Sequence, residues 1–165
     1  MIKKKICMLG AFAVGKTSLV KQYVHSIFSE KYHTTVGVKI DKKSLTVKSN
    51  KVELIIWDLY GKDEFQNIRA SYLKGASGCI YVVDGTRQNT LDSAMEIKAD
   101  VARIVGNIPG IMALNKADLK SMWEINSEKM DDLETEVDIL FKTSAKNGMH
   151  VESAFQSLAE LIIMD

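Results

Sequence analysis

The stretch "GAFAVGKT", Gly10 to Thr17, follows the run "IKKKICML" at residues 2 to 9 and opens "KTSLVKQYVHSIF" at 16 to 28. In that second segment Leu19, Val20, Tyr23 and Val24 recur at helical spacing. Strand, glycine-bounded loop and helix, in that order, is the context in which a GxxxxGK pattern closed by Ser or Thr holds phosphate. The glycines let the backbone curl until successive N–H groups converge on phosphate oxygens, and the helix adds the positive end of its dipole. On this basis Gly10, Ala11, Phe12, Ala13, Val14, Gly15 and Ser18 surround the phosphates and Lys16 bridges the outer ones. Thr17 turns its hydroxyl to a magnesium ion, a cation that prefers oxygen ligands.

Outward from this loop, "VGVKIDKKSLTV" (36 to 47) and "VELIIWD" (52 to 58) read as strands joined by a turn at Ser49, Asn50 and Lys51, hence an antiparallel hairpin. "GCIYVVD" (78 to 84), "GIMALN" (110 to 115) and "VDILFKT" (137 to 143) are nearly continuous apolar runs, as expected of strands covered on both faces. Helical periodicity fills 90 to 105, weakly 126 to 135, and 150 to 163. Alternating strand and helix gives an α/β class with a mostly parallel sheet. A chain of 165 residues needs only one core. Its 46% hydrophobic and 26% charged residues indicate neither disorder nor a membrane span, and a net charge of +1 gives no field for nucleic acid. Lys3 to Lys5 before an apolar run imitate a secretory leader, but Gly15 and Lys16 cut that run short. Cys7 and Cys79 lie in apolar runs and serve as small hydrophobes, which suits a reducing, cytoplasmic location. The ending "LIIMD" carries no prenylation cysteine, so no direct lipid anchor is expected in this chain and membrane attachment is expected to need a partner or a missing tail.

Two further loops, "NKAD" at 115 to 118 and "TSAKNG" at 143 to 148, lie just beyond the carboxyl ends of strands, where open α/β sheets bind ligands. Together with "GAFAVGKT", "TTVG" (34 to 37), "WDLYG" (57 to 61) and "YLKGASGCIYVVD" (72 to 84), their order and spacing resemble the Ras superfamily of small GTPases, most closely its Ras and Rab branches. The resemblance covers essentially the full length. It implies a single G domain over residues 1–165 with the P-loop NTPase fold: a six-stranded, mostly parallel sheet with one antiparallel edge hairpin and helices on both faces. The ligands it implies are GTP or GDP with magnesium. Asp118 would accept the two ring-edge donors of guanine while Asn115 braces the loop. Lys116 and Lys146 would flank the base, and the amide of Ala145, beside Ser144, would bond its exocyclic oxygen. Adenine offers Asp118 no such donor pair, and a desolvated, unpaired carboxylate costs about 1 to 3 kcal/mol or more.

The resemblance also implies two switches. In "FSEKYHTTVG" (28 to 37), Phe28 would lie against the guanine edge and Tyr32 over the phosphates. Thr35, with Thr34 as its adjacent competitor, would be a second magnesium ligand when a γ-phosphate is present. Asp58 would hold magnesium through a water, and the Gly61 amide would bond the γ-phosphate. Loops ordered by that phosphate form a two-state element, read by effector and regulatory proteins through residues 28–40 and 59–74 of a monomer. After Gly61 the family usually has glutamine, which orients the attacking water; here it is Lys62. An ammonium has three donors and no acceptor, so slow hydrolysis is expected from a set comprising Lys16, Thr35, Gly61 and Lys62. Three alternatives stand beside this: Lys62 as a built-in cation for phosphoryl charge, Lys62 without a role, and a GTP-liganded adaptor that hardly hydrolyses. Phe12 and Tyr60 are bulkier than the family's usual residues, and a methyl at Ala11 is expected to crowd an arginine donated by a partner. Lys39, Lys42, Lys43, Lys48 and Lys51 crowd the hairpin, either docking acidic partners or protecting a sheet edge. The three histidines do not cluster with cysteines, so no metal beyond magnesium is expected.

Overall fold

A computed structural model describes residues 1–29, 38–59 and 70–164. Tyr32, Thr34, Thr35, Tyr60, Gly61 and Lys62 lie outside the described residues, as does much of both segments expected to meet partners. In chain order the elements are β1 (Ile2–Leu9), α1 (Lys16–His25), β2 (Val38–Val47), β3 (Asn50–Leu59), α2 (Ala70–Leu73) and β4 (Ala76–Asp84). There follow α3 (Asn89–Val105), β5 (Gly110–Asn115), a 3₁₀ turn (Lys120–Met122), α4 (Ser127–Glu134), β6 (Ile139–Lys142) and α5 (Val151–Met164). The six-stranded sheet has the order β2-β3-β1-β4-β5-β6, with β2 antiparallel to β3 and every other pair parallel.

Side chains alternate across a strand, so β1 feeds both faces of the sheet. Ile6 and Met8 join Leu19, Val20 and Tyr23 of α1 and Phe155 and Leu158 of α5, with the Tyr23 ring stacked on Phe155 at 4.0 Å between centroids. Cys7 and Leu9 face the other way, toward Leu73 of α2, Leu91, Ala94 and Val101 of α3, and Leu133 of α4. Cys7 and Cys79 are register partners on β1 and β4, both fully buried as free thiols. Because β1 is central and its neighbours on either side run parallel to it, its carboxyl end opens into the crevice at the sheet's topological switch point. No helix among the described residues is long and apolar enough to cross a membrane.

Several local expectations need correcting. The hairpin turns at Lys48 and Ser49 rather than at 49 to 51, with φ of 46° and 71° at the two residues. A two-residue hairpin asks for positive φ at both central positions, usually from Asn and Gly; neither is present, so the sequence hides the turn. α1 stops at His25, because Ser26 takes φ 54° and closes the helix with its amide on the Gln22 carbonyl; the expected helix to Phe28 does not form. The four-residue α2 is too short to show a period. Of "VDILFKT" only Ile139–Lys142 is strand, and none of its residues is fully buried, since β6 pairs only with β5 at the sheet edge.

Candidate nucleotide site

The loop after β1 is shaped by two positions without room for a side chain. A Cβ on Gly10 (φ 151°) would lie 2.4 Å from the Val82 carbonyl oxygen, and one on Gly15 (φ 104°) 2.3 Å from Asn115 Nδ2. Between them Ala11 and Val14 point into the core, whereas Phe12 is 38% exposed. The methyl of Ala11 is therefore not what faces an incoming arginine. Phe12 is the outward-facing neighbour.

Five consecutive carbonyls of this loop accept hydrogen bonds from side chains. Lys16 Nζ donates to the Gly10 and Ala11 oxygens, each at 3.0 Å. Arg87 Nη2 donates to Phe12 at 2.9 Å, Lys116 Nζ to Ala13 at 3.1 Å and Asn115 Nδ2 to Val14 at 3.0 Å. Burial pushes the Lys16 ammonium down to about 8 against the opposing pull of Asp58, and Arg87 depresses it further. A cation so desolvated gains from an anion placed beside it.

At the end of β3, Asp58 is buried and its Oδ2 accepts the Thr17 hydroxyl at 2.5 Å. The two side chains expected to serve one cation are thus adjacent, and their donors are all oxygen, which fits magnesium. Among the described residues no group of three or more His, Cys, Asp and Glu side chains is placed to hold a metal. An ion at this pair would complete its shell with water and phosphate oxygens.

The loops after β5 and β6 are locked to one another and to the phosphate loop. The Thr143 hydroxyl donates to Asn115 Oδ1 at 3.1 Å, and the Ala117 amide to the Thr143 carbonyl at 3.0 Å. Ser144 Oγ donates to Asp118 Oδ1 at 2.7 Å and itself accepts the Asn147 amide at 3.2 Å. Ala145 is buried and Lys146 exposed. Asn115 therefore does more than brace its own loop, since it joins the base-side loops to Val14. Phe28 lies beyond the end of α1 with 38% of its surface exposed.

Sequence inspection missed Asp84 and Arg87. Asp84 ends β4, and its side chain is only 2% exposed. It accepts the Thr86 amide at 2.9 Å, the Thr86 hydroxyl at 2.6 Å, Arg87 Nε at 2.9 Å and Lys116 Nζ at 2.9 Å. Burial alone would raise this carboxyl, yet the hydrogen bonds from Thr86, Lys116 and Arg87 outweigh it and hold Asp84 below its usual range. The available signal was positional: Asp58, Asp84 and Asn115 each stand at or next to the carboxyl end of a strand.

A glycine-bounded loop at the end of the central strand, with Asp58 near the end of β3 and polar loops after β4, β5 and β6 at the same end of the sheet, belongs to the P-loop class of nucleotide-binding folds. Comparison with known proteins narrows this class. The Ras family model matches residues 5–164. The chain is 32% identical over 169 residues to Ras-related protein Rab-32 of Homo sapiens, across 98% of this chain and 75% of that protein. To Ras-related protein Rab-7b of Homo sapiens it is 36% identical over 160 residues, covering 94% of this chain and 80% of the relative. Ras-related protein Rab-13 of Bos taurus is 30% identical over 162 residues, covering 97% and 80%. The chain belongs to the Ras family of small GTPases, GTP-binding switches that bind GTP or GDP, generally with magnesium, and interact with effectors and regulators.

Proposed function

We propose that residues 1–165 form one G domain that binds guanine nucleotide at the β1–α1 loop and hydrolyses GTP slowly. The observation that carries the binding assignment is Asn115, whose side chain ties the base-side loop to Val14 of the phosphate loop, so that base and phosphates are gripped as one unit. Asp118, steadied by Ser144, presents its carboxylate to the guanine ring edge. Lys16 attracts the outer phosphates, and the Gly61 amide meets the γ-phosphate. Thr17, Asp58 and Thr35 would hold magnesium, which neutralises phosphate charge when bound. Tyr32 and Phe28 cover the nucleotide from the first switch. The protein acts as a cytoplasmic monomer that recruits effectors through residues 28–40 and 59–74.

Slow hydrolysis rests on Lys62. A water attacking phosphorus needs a neighbour that accepts its hydrogen while aiming its lone pair, and an ammonium accepts nothing. The exposed ring of Phe12 favours a second reading, a GTP-liganded adaptor that hardly cycles, because it crowds the approach of an arginine from a partner. The guanine assignment is tested by Asp118→Asn, which should lose GTP affinity and gain xanthosine triphosphate affinity, since an amide can donate to the additional ring carbonyl. Unchanged GTP affinity in that variant would remove Asp118 from the base site.

A further inference from the structure

Three consecutive peptide carbonyls of the phosphate loop are held by three side chains from outside it: Phe12 by Arg87, Ala13 by Lys116 and Val14 by Asn115. In a trans peptide the C=O and the following N–H point to opposite sides. Fixing these carbonyls therefore turns the amides of Ala13, Val14 and Gly15 the other way, and such a run of amides is an anion nest. Asn115 and Lys116 belong to the "NKAD" segment. Arg87 belongs to no motif, and it reaches the loop from the β4–α3 connection.

Its anchorage is specific. The guanidinium sets Nε on Asp84 Oδ2 and Nη2 on the Phe12 carbonyl, each at 2.9 Å, so one rigid fork spans both. The same Asp84 oxygen takes Lys116 Nζ, which couples two of the three braces through one buried carboxylate. We propose that Arg87 is a positioning residue for the nucleotide's phosphates: anchored on Asp84, it fixes the Phe12–Ala13 peptide so that the Ala13 amide faces the diphosphate. This rests on the loop being the GDP and GTP site. A lysine at this position keeps the charge but lacks the planar fork, so it cannot reproduce both bonds in the same geometry.

The test compares wild type, Arg87→Ala and Arg87→Lys by calorimetric competition with GDP and with GMP, which lacks the second phosphate, and by phosphorus NMR of bound GDP. Loss of one brace should weaken GDP about tenfold, the scale of one hydrogen bond to a charged donor. GMP affinity should stay at the wild-type value, the resonances of bound GDP should shift, and Arg87→Lys should recover only part of the loss. Equal weakening of GDP and GMP would mean general damage to the fold and would overturn the proposal. So would wild-type GDP affinity in Arg87→Ala, or full rescue by lysine. Should Arg87→Ala not fold, the GDP-against-GMP split in Arg87→Lys decides in the same way. A wild-type protein that binds no guanine nucleotide would instead refute the site assignment itself.

Discussion

Gly15 shows how tightly single residues are constrained at this site. Its φ of 104° is strained for any side chain, and a Cβ would strike the Asn115 amide that holds Val14. Gly15→Ala should therefore destabilise the fold by about 1–3 kcal/mol through strain and a displaced hydrogen bond, measured as a lower midpoint in urea unfolding. An unchanged midpoint would mean that Asn115 moves aside freely. Contiguous residues such as Gly10 to Thr17 were legible in the sequence because their chemistry and their neighbours coincide. Arg87 was not: its partner Phe12 lies 75 positions away, and an arginine in a loop carries no local pattern. The methyl of Ala11 was misjudged for a related reason, since spacing within a curled loop does not reveal which side chain turns inward.

The hairpin of β2 and β3 is the element that departs most from local preference. Its ten-residue strands pair throughout from Val38↔Leu59 to Val47↔Asn50, and this ladder forces Lys48 and Ser49 into the left-handed region. Exchanging them for residues at home there, Lys48→Asn with Ser49→Gly, should stabilise the protein by roughly 0.5–1 kcal/mol, read as a higher urea midpoint. A fall in stability would show that the turn is held by contacts of the native side chains. Strand existence was legible throughout from apolar runs, while strand ends were set by pairing. β6 is shorter than its apolar run because only one neighbour offers it a ladder. Lys39, Lys42, Lys48 and Lys51 are exposed on the edge hairpin, as both docking of acidic partners and protection against self-pairing require.

Across the whole molecule, the sheet brings the ends of β1, β3, β4 and β5 to one edge, so residues as far apart as Val14 and Asn115 share a hydrogen bond. The α/β alternation made that convergence foreseeable; the cross-links among the loops were not, because they depend on side-chain reach between separate connections. A switch built on this frame should respond to the γ-phosphate. Amides of residues 28–37 should exchange more slowly with a non-hydrolysable GTP analogue than with GDP, and equal protection in both would argue against a first switch there.

Slow hydrolysis through Lys62 is the central claim, and single-turnover GTP cleavage by wild type, Lys62→Gln and Lys62→Ala tests it most directly, with nucleotide binding confirmed in each. Glutamine should accelerate cleavage severalfold or more, and alanine should change it little. Wild type cleaving faster than Lys62→Gln, with Lys62→Ala slower by roughly 10² as expected for loss of a charge-stabilising donor, would contradict the account and make Lys62 part of the catalytic apparatus.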